Sequence, residues 1–330
     1  MNAHPFDVLT PDTIIEAVEA AGFRSDARLL ALNSYENRVY QVGIEDAEPV
    51  IVKFYRPERW SEEQIAEEHS FSQELADAEL PVVAPLRGDA EGRGSGTIHH
   101  HAGLLYALFP RRGGRAPDFD NPDNLLVLGR TLGRMHAIGA ARAFRYRLAL
   151  DGAAIIADSR ERLPGAFVPD DLTDAYLSLL DDLGRALAPL LEEIDGGERI
   201  RVHGDCHGGN ILWRDDTAHF VDLDDCLTAP AVQDLWMFLS GERHEQELQL
   251  SELMAGYEEF HSFSARELRW IEALRTLRII RHAAWLARRW DDPAFPRAFP
   301  WFAGPRFWSD HILELREQFA RLQEPPLRLL

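Results

Sequence analysis

Lysine is almost absent from this sequence. Of the 330 residues, 35 are lysine or arginine, and Lys53 is the single lysine among them. Lysine is normally one of the commonest residues in soluble proteins, so arginine has taken nearly every position that needs only a positive charge. The surviving lysine has two interpretations at this point. It is either chance within a skewed composition, or it marks a position where a compact ammonium is needed and a planar guanidinium does not fit.

An excess of positive charge and long apolar runs are also missing. Acidic residues outnumber basic ones by 55 to 35, which gives a formal net charge of −20. Nucleic acids and anionic membrane surfaces are bound through basic faces, so we expect neither as a partner. No apolar run approaches the roughly 18 residues that a membrane-spanning helix needs. The hydrophobic content of 45% and charged content of 27% are ordinary for a globular protein.

Cysteine is scarce, with Cys206 and Cys226 the only two. Two cysteines make no disulfide framework, and residues 1–5 do not have the charged start and apolar core of a secretory leader. We therefore predict a protein of the reducing cytoplasm, and we expect it to be a monomer. A redox role for either cysteine stays open.

The pattern of elements changes character along the chain. The first part predicts an antiparallel meander of three strands, a helix that starts at a Ser61–Gln64 capping box and runs to about residue 80, and a strand at Leu104–Phe109. The later part is mostly helical, and the predicted helices span 122–138, 171–193, 232–241, 246–260 and 264–290. One β interruption covers 211–223, and 139–170 gives little information.

This change indicates two lobes. A small β-rich N-terminal lobe at 1–110 would precede a larger helical C-terminal lobe at 111–330, with a linker at Arg111–Gly114. Such an arrangement is an α+β fold, and a chain of this length usually divides in this way.

The most informative stretch is His203–Asn210 with the Asp222-Leu223-Asp224 turn that follows it. Asp205 and Asn210 are five residues apart, as are the aspartate and asparagine of the kinase catalytic loop. A predicted hairpin between Asn210 and Asp222 would bring these two side chains together. Phosphoryl transfer needs one carboxylate to orient the attacking hydroxyl, and an amide and a second carboxylate to hold Mg²⁺ on the phosphates.

Lys53 lies before this stretch, in a predicted strand. Glu68 lies in the helix that follows that strand. Glu68 lies on or beside the apolar stripe of that helix, where a carboxylate is costly without a partner. We therefore predict an ion pair between Lys53 and Glu68, like the pair that holds the lysine of kinases on the nucleotide phosphates.

Several runs of this sequence resemble bacterial stress-response kinases in the aminoglycoside phosphotransferase and choline kinase-like branch of the protein-kinase-like fold. The resemblance extends from about residue 8 to 326 and is carried by the runs 33–40, 53–60, 203–214, 232–236 and 292–296. It implies a two-lobed, ATP- and Mg²⁺-dependent Ser/Thr protein kinase of the cytoplasm with a role in stress survival.

The resemblance also implies roles for individual residues. Asp205 would accept the proton of the attacking hydroxyl, and Asp234 would brace the catalytic loop. The residues implied in nucleotide and metal binding are Ser34 and Lys53 on ATP, Glu68 behind Lys53, Phe109 at the strand end that receives adenine, Asn210 and Asp222 on Mg²⁺, and Asp224 on a second metal.

The sequence departs from ordinary protein kinases in ways that leave the acceptor open. Gly204 replaces the arginine of the H-R-D motif, the phosphate loop 33–38 has no glycine, and no A-P-E segment follows Asp222. These features fit kinases of small molecules. The acceptor is therefore either a protein Ser/Thr or a small hydroxyl compound such as an amino alcohol or an aminoglycoside.

Two functions other than phosphoryl transfer compete as interpretations of these residues. Asp205-Cys206-His207-Gly208 fits the D-x-H-G element of metal-dependent phosphoesterases, which need further aspartate, asparagine and histidine ligands that the sequence does not supply on strands. A catalytically inactive scaffold of the kinase fold is disfavoured because Lys53, Asp205, Asn210 and Asp222 are all present.

Overall fold

The computed structural model describes residues 4–88 and 96–330. The N-terminal part is built on a five-stranded antiparallel sheet in the order β1-β2-β3-β5-β4. The strands are β1 (Ser25–Ala31), β2 (Arg38–Ile44), β3 (Ala47–Phe54), β4 (His99–His101) and β5 (Leu104–Pro110). The predicted meander and the strand before Pro110 are therefore confirmed.

Two helices accompany this sheet. In α1 (Pro11–Ala20), the Thr10 hydroxyl accepts a hydrogen bond from the amide of Thr13, and the apolar face of the helix packs on the strands. In α2 (Glu62–Asp77), the predicted capping box is present, with Ser61 and Gln64 bonded reciprocally at 3.3 and 2.9 Å. These caps satisfy amide groups that the first turn of a helix leaves unpaired.

The C-terminal part is mainly helical, as predicted. Its helices are α3 (Pro122–Ala140), α4 (Gly152–Arg162), α5 (Asp170–Asp195), α6 (Val232–Leu235), α7 (Arg243–Tyr257), α8 (Ile271–Arg288), α9 (Ala294–Ala298) and α10 (Pro305–Arg321). Two small strand pairs interrupt them: β6 (Ile200–Val202) with β9 (Leu227–Ala229), and β7 (Ile211–Arg214) with β8 (Thr217–Phe220).

Two apolar cores stabilise the helical part. One lies beneath the segment 203–210 and joins α3, α7 and the small strands, and the other joins α4, α5, α8 and α10. Helix α8 contributes to both cores through its buried face, so its opposite face is held in a fixed orientation. That second face lines the cleft between the lobes.

The structure differs from the sequence prediction in several places. Helices α9 and α10 lie beyond the last predicted helix, 264–290, and were not predicted. The uninformative stretch 139–170 contains α4, which begins where the Asp151 side chain accepts from the Ala154 amide at 2.9 Å. The helix expected over 232–241 ends at Leu235 and continues only as a 3₁₀ turn over 236–238. The pair β6–β9 was missed because three-residue strands carry no readable period.

The observed sheet ends at Pro110 and the next helix begins at Pro122. The division at 1–110 and 111–330 remains our proposal for where one lobe gives way to the other. Within the ranges that the structure describes, no helix combines the length and the apolar character needed to cross a membrane.

Candidate active site

The loop between β6 and β7 is fixed from below by a buried aspartate. The Asp234 carboxylate accepts hydrogen bonds from the amides of His203 at 2.7 Å and Gly204 at 2.8 Å. Its Oδ2 also lies 3.1 Å from Nε2 of His136, whose other ring nitrogen is 2.9 Å from the Tyr257 hydroxyl. Asp234 and His136 are both fully buried. Asp234 therefore braces the loop as expected.

Gly204 occupies a position where the backbone allows no side chain. Its φ is +87°, and a Cβ there would lie 2.2 Å from the carbonyl oxygen of Asp225. Glycine adopts such a conformation without steric cost. This close approach explains why glycine replaces the arginine of protein kinases at this position.

Asp205 and Asn210 lie at opposite ends of the same tight loop. The Asn210 amide donates to the Asp205 carbonyl at 2.9 Å and lies 3.5 Å from Oδ2 of its carboxylate. That carboxylate also contacts Nη1 of Arg278 and lies 3.3 Å from Nε2 of His207. Burial alone would raise the pKa of Asp205, but hydrogen bonds and charge from His207 and Arg278 hold that pKa well below its ordinary value. The carboxylate is thus ionised.

The β7–β8 hairpin returns Asp222 to this loop. The Val221 amide donates to the Asn210 carbonyl at 3.0 Å, and His203 Nε2 donates to the Val221 carbonyl at 2.9 Å. Asp222 has a left-handed backbone with φ of 58°, and about half of its side chain is exposed. The predicted hairpin therefore places Asp222 beside Asn210.

Lys53 crosses from the N-terminal sheet to this turn. Its ammonium lies 2.7 Å from Asp222 and 3.3 Å from Asp224. Burial alone would lower the pKa of Lys53, but the two aspartates raise it above its ordinary value. The lone lysine therefore stays charged although it is buried.

The predicted Lys53–Glu68 ion pair is wrong for this structure. Among the described residues, the salt bridges that Lys53 makes within 4.0 Å are those to Asp222 and Asp224. Glu68 is buried on α2, its Oε2 makes no hydrogen bond to any residue that the structure describes, and burial raises its pKa to about 7. A buried carboxyl whose pKa is raised to about 7 competes poorly with Asp222 and Asp224 for the ammonium.

Asp224 links the two lobes more extensively than the sequence indicated. Its buried carboxylate accepts from the Asn37 amide at 3.0 Å and contacts the guanidinium of Arg59. Burial alone would raise the pKa of Asp224, but Arg59 and Lys53 keep it well below the ordinary value. Asn37 thereby fastens the glycine-free phosphate loop to the Asp222–Asp224 turn.

A second set of contacts ties the same loop to the end of the helical lobe; we call Arg38, Arg56 and Asp292 the Asp292 clamp. Arg38 donates to both carboxylate oxygens of Asp292 at 2.9 and 2.7 Å, and Arg56 donates at 2.6 Å. Nearby, Glu36 accepts from the Trp285 indole at 2.5 Å and from Arg289 at 2.8 Å. Hydrogen bonds between ionised groups of this kind are about twice as strong as those between neutral groups.

The cleft between the lobes has a volume of about 960 Å³. Every residue assigned to catalysis, nucleotide or metal from the sequence lines this one cleft: Ser34, Lys53, Glu68, Phe109, Asp205, Asn210, Asp222 and Asp224. Ser34 donates to the Asn37 carbonyl at 3.2 Å, and Phe109 lies opposite Ile51 near the end of β5.

The oxygen atoms of Asn210 and Asp222 fit a Mg²⁺ ion that also binds phosphate, because hard cations prefer such ligands and the Asn210 carboxamide oxygen has no other partner within the loop. The phosphoesterase alternative fares worse. In the described part of the chain, no three or more His, Cys, Asp or Glu residues form a group that could hold a metal.

The two cysteines are buried and unbonded, and burial raises the pKa of both thiols. A buried thiol with a raised pKa is unreactive. Neither therefore has the surroundings of a redox switch.

Sequence reasoning missed several residues that build the site. They act through contacts between segments far apart in the chain, and no local pattern marks them: Glu36, Asn37, Arg59, Asp225, Arg278 and Asp292. A weak signal existed for Glu36, Asn37, Arg59 and Asp292, since all four lie in runs that carry the family resemblance.

Comparison with known proteins agrees with this architecture. The phosphotransferase enzyme family matches residues 28–274. Stress response kinase A of Escherichia coli strain K12 is 44% identical over 329 residues, which covers 99% of this chain and 98% of that protein. The protein described as serine/threonine protein kinase RdoA of Salmonella typhimurium strain LT2 has the same identity and coverage.

Solved structures show the same fold at low sequence identity. Amicoumacin kinase hAmiN, in complex with AMP-PNP, Ca²⁺ and Ami, has a TM-score of 0.71 at 19% identity and covers 94% of this chain and 97% of its own. A microcompartment-associated aminopropanol kinase has a TM-score of 0.62 at 18% identity and covers 92% of this chain and 99% of its own.

Proposed function

Because this chain belongs to the phosphotransferase enzyme family, we propose that it is an ATP- and Mg²⁺-dependent kinase that phosphorylates Ser/Thr hydroxyls of proteins. One observation carries the proposal. Lys53 from the N-terminal sheet and Asp205, Asn210 and Asp222 from the helical lobe converge on a single cleft. Phosphoryl transfer depends on this combination of ammonium, carboxylates and amide.

The N-terminal side of the cleft would hold the nucleotide. Lys53 and Ser34 would contact the phosphates, and the backbone near Phe109 would receive adenine. Asn210 and Asp222 would hold Mg²⁺, which supplies charge neutralisation on the transferring phosphoryl group. Glu68 would lie behind Lys53 without direct contact, and a second-metal role for Asp224 remains a prediction.

Asp205 would orient the acceptor hydroxyl and take its proton. Its carboxylate is ionised and held by the loop that Asp234 braces. Phosphoryl transfer has a loose transition state, so positioning the hydroxyl matters more than the strength of the base.

The protein acceptor is supported by the relatives rather than by the shape of the cleft. Proteins that are 44% identical along the whole chain are described as stress response kinase A and serine/threonine protein kinase RdoA. We propose the same acceptor class and a role in stress for this chain. The second candidate, a small hydroxyl compound, is favoured by the glycine-free phosphate loop and by the aminopropanol kinase that shares the fold.

The test uses labelled ATP with Mg²⁺, alone and with cell extract. Wild-type protein should transfer label to protein, whereas Asp205→Asn and Asp222→Ala should lose transfer by at least about 10³-fold while the circular dichroism spectrum is unchanged. Asp215→Asn, on the exposed tip of the same hairpin, is the matched control. Full activity in either site variant would overturn the mechanism, and label confined to small molecules would overturn the protein acceptor.

We also propose that the protein works in the cytoplasm. The support is its two buried, unbonded cysteines, which suit a reducing compartment.

A further inference from the structure

The wall of the cleft opposite the nucleotide side carries a basic stripe. Helix α8 presents Arg278, Arg281, His282 and Trp285 toward the cleft. Their spacing of i, i+3, i+4 and i+7 places them on one face of the helix. The side chains of Arg278 and Arg281 are about half exposed, so both guanidinium groups are accessible from the cleft.

Both arginines reach the aspartates around the reacting position. Arg278 contacts the Asp205 carboxylate, and Arg281 lies 3.1 Å from Oδ1 of Asp225. The same Asp225 oxygen is 2.9 Å from Arg59, so two guanidinium groups share one carboxylate. Arg59 is also paired with Asp224, so what Arg278 and Arg281 offer an acceptor is the exposed part of each guanidinium rather than an excess of charge.

The remaining lining of this wall is mostly aromatic and apolar. Ile155, Phe307 and His311 contribute to it, and in the described residues of α8 and α10 the one acidic side chain lining the cleft is Glu314. Glu314 lies 3.8 Å from Nδ1 of His311. A wall that recognises polycationic acceptors would need several uncompensated carboxylates.

We propose that this wall selects acceptors that carry an anionic group beside the reacting hydroxyl, which for a protein acceptor means a Ser or Thr flanked by acidic residues. The proposal rests on the proposed phosphotransfer function and names its substrate class. Arg278 and Arg281 are the specificity-determining residues. Carboxylates are recognised by guanidinium forks through charge-assisted hydrogen bonds.

The Arg278–Asp205 contact gives this selection a chemical role. An anionic group on the acceptor offers Arg278 a second partner, so that Asp205 becomes free to receive the hydroxyl proton. The acceptor oxygen then bonds to the γ-phosphorus, the bond from that phosphorus to the β,γ-bridging oxygen breaks, and ADP leaves. An amino alcohol offers no such partner, and its cation is repelled by the stripe.

The experiment compares matched peptides that contain one Ser flanked by Asp, by Ala or by Lys. We expect kcat/KM to fall in that order, by at least about tenfold from the acidic to the basic peptide. Arg281→Glu should abolish or reverse the order. Arg316→Glu changes the charge equally on an exposed part of α10 away from the cleft lining and should leave the order intact. Equal or reversed preference in the wild-type protein would overturn the proposal.

A small-molecule arm separates this proposal from the proposed function. If no peptide is phosphorylated, a hydroxycarboxylic acid and an amino alcohol are offered in the same assay. Transfer to the hydroxy acid would support the anionic selection while overturning the protein acceptor, and transfer to the amino alcohol would overturn the selection. If neither compound reacts, calorimetry measures how tightly each one binds to the protein loaded with a non-hydrolysable ATP analogue. Binding of the hydroxy acid that is no tighter than binding of the amino alcohol would contradict the proposal.

Discussion

The surroundings of Lys53 explain why lysine is retained at this position although arginine occupies every other basic position in the chain. Its ammonium fits between two carboxylates 2.7 and 3.3 Å away, and the residue as a whole is only 6% exposed. A guanidinium is planar and wider, and it could not place a single compact charge there without moving the Asp222–Asp224 turn. The structure favours a functional reason for the retained lysine over chance.

We predict that Lys53→Arg lowers kcat by at least about 10²-fold, because the phosphates would lose a correctly placed cation. Steady-state kinetics with ATP and Mg²⁺ would measure this loss. Arg306→Lys, an exposed exchange in the reverse direction, should have no effect. Near wild-type turnover in the Lys53 variant would show that any cation suffices at this position.

Glu68 predicts an unusual dependence of stability on pH. Its pKa of about 7 exceeds the value of 4.5 expected in the unfolded chain, so the folded protein holds a proton that the unfolded chain releases. This stabilisation is complete below about pH 4.5 and is lost as pH rises through 7, at a cost of up to about 3 kcal/mol. Glu68→Gln should remove the loss.

Urea denaturation at pH 5 and pH 7.5 would test this. Relative to wild type, the free energy of unfolding of Glu68→Gln should decline less between the two pH values. Glu63→Gln, on the exposed face of the same helix, serves as control because the pKa of Glu63 is lowered rather than raised. Parallel curves for wild type and Glu68→Gln would contradict the buried, protonated carboxyl.

Single residues were predictable where local spacing constrains chemistry. Asp205, Asn210 and Asp222 follow from a loop-and-hairpin spacing, and the structure brings all three together. The roles of Asn37, Arg59 and Arg278 were not predictable, because each contacts an aspartate more than 70 positions away. Charge balance across a cleft depends on the lobe arrangement, which has no signature in a local window.

At the scale of elements, the Asp292 clamp explains how the loop 33–38, our proposed phosphate loop, keeps its shape without glycine. Arg56 also donates to the Tyr35 and Glu36 carbonyls at 3.1 and 2.8 Å, so the clamp fixes the backbone of the loop itself. A glycine-rich loop gains its grip from close backbone approach, whereas this loop is held in shape by side chains from outside.

We predict that Asp292→Asn raises KM for ATP by about tenfold and changes kcat less, since the loop would bind phosphate in a poorly defined shape. The buried Arg56 and the partly buried Arg38 would lose an ionised partner, so the variant should also be less stable, by roughly 3 kcal/mol. Asp292→Glu should recover KM in part, and the exposed Asp291→Asn should match wild type. A fall in kcat at unchanged KM would contradict the role in positioning the loop.

Elements were predictable where their ends carry polar caps. The Ser61–Gln64 box marked the start of α2 correctly, because such side chains satisfy specific amide groups. Helix α4 was not predicted although Asp151 caps it, because its apolar residues have little helical periodicity. It is held in place by packing on α5 and α8. The strands β6 and β9 pair with each other across 25 residues, which no local pattern encodes.

At the scale of the whole molecule, the composition makes the active site chemically unique. Lys53 is the only side-chain amine in the chain, and it is buried and strongly protonated. The two-lobed α+β architecture was predictable because the change from strands to helices extends over a hundred residues on each side. The docking of the lobes through Asp224 and Asp292 was not, since it depends on tertiary contacts alone.

We predict that an ATP derivative with a reactive acyl phosphate acylates this protein at Lys53 and at no other side chain. Excess ATP should protect the site, and Lys53→Arg should remove the label, as mass spectrometry of the digested protein would show. An ordinary amine-reactive ester should instead label the α-amino group, because Lys53 is buried and charged. Failure of ATP to protect Lys53 would count against its place at the phosphates.

The Asp292 clamp has a kinetic consequence for the enzyme cycle. The covalent connection after Pro110 joins the lobes at one place, and the Asp292 clamp joins them at another. The nucleotide would therefore be enclosed by a ring of chain and contacts rather than bound in an open cleft. Opening a ring requires the charged contacts to break first. Residence of the spent nucleotide, rather than the chemical step, would then limit turnover, and ionic strength would shorten that residence by screening the contacts that close the ring.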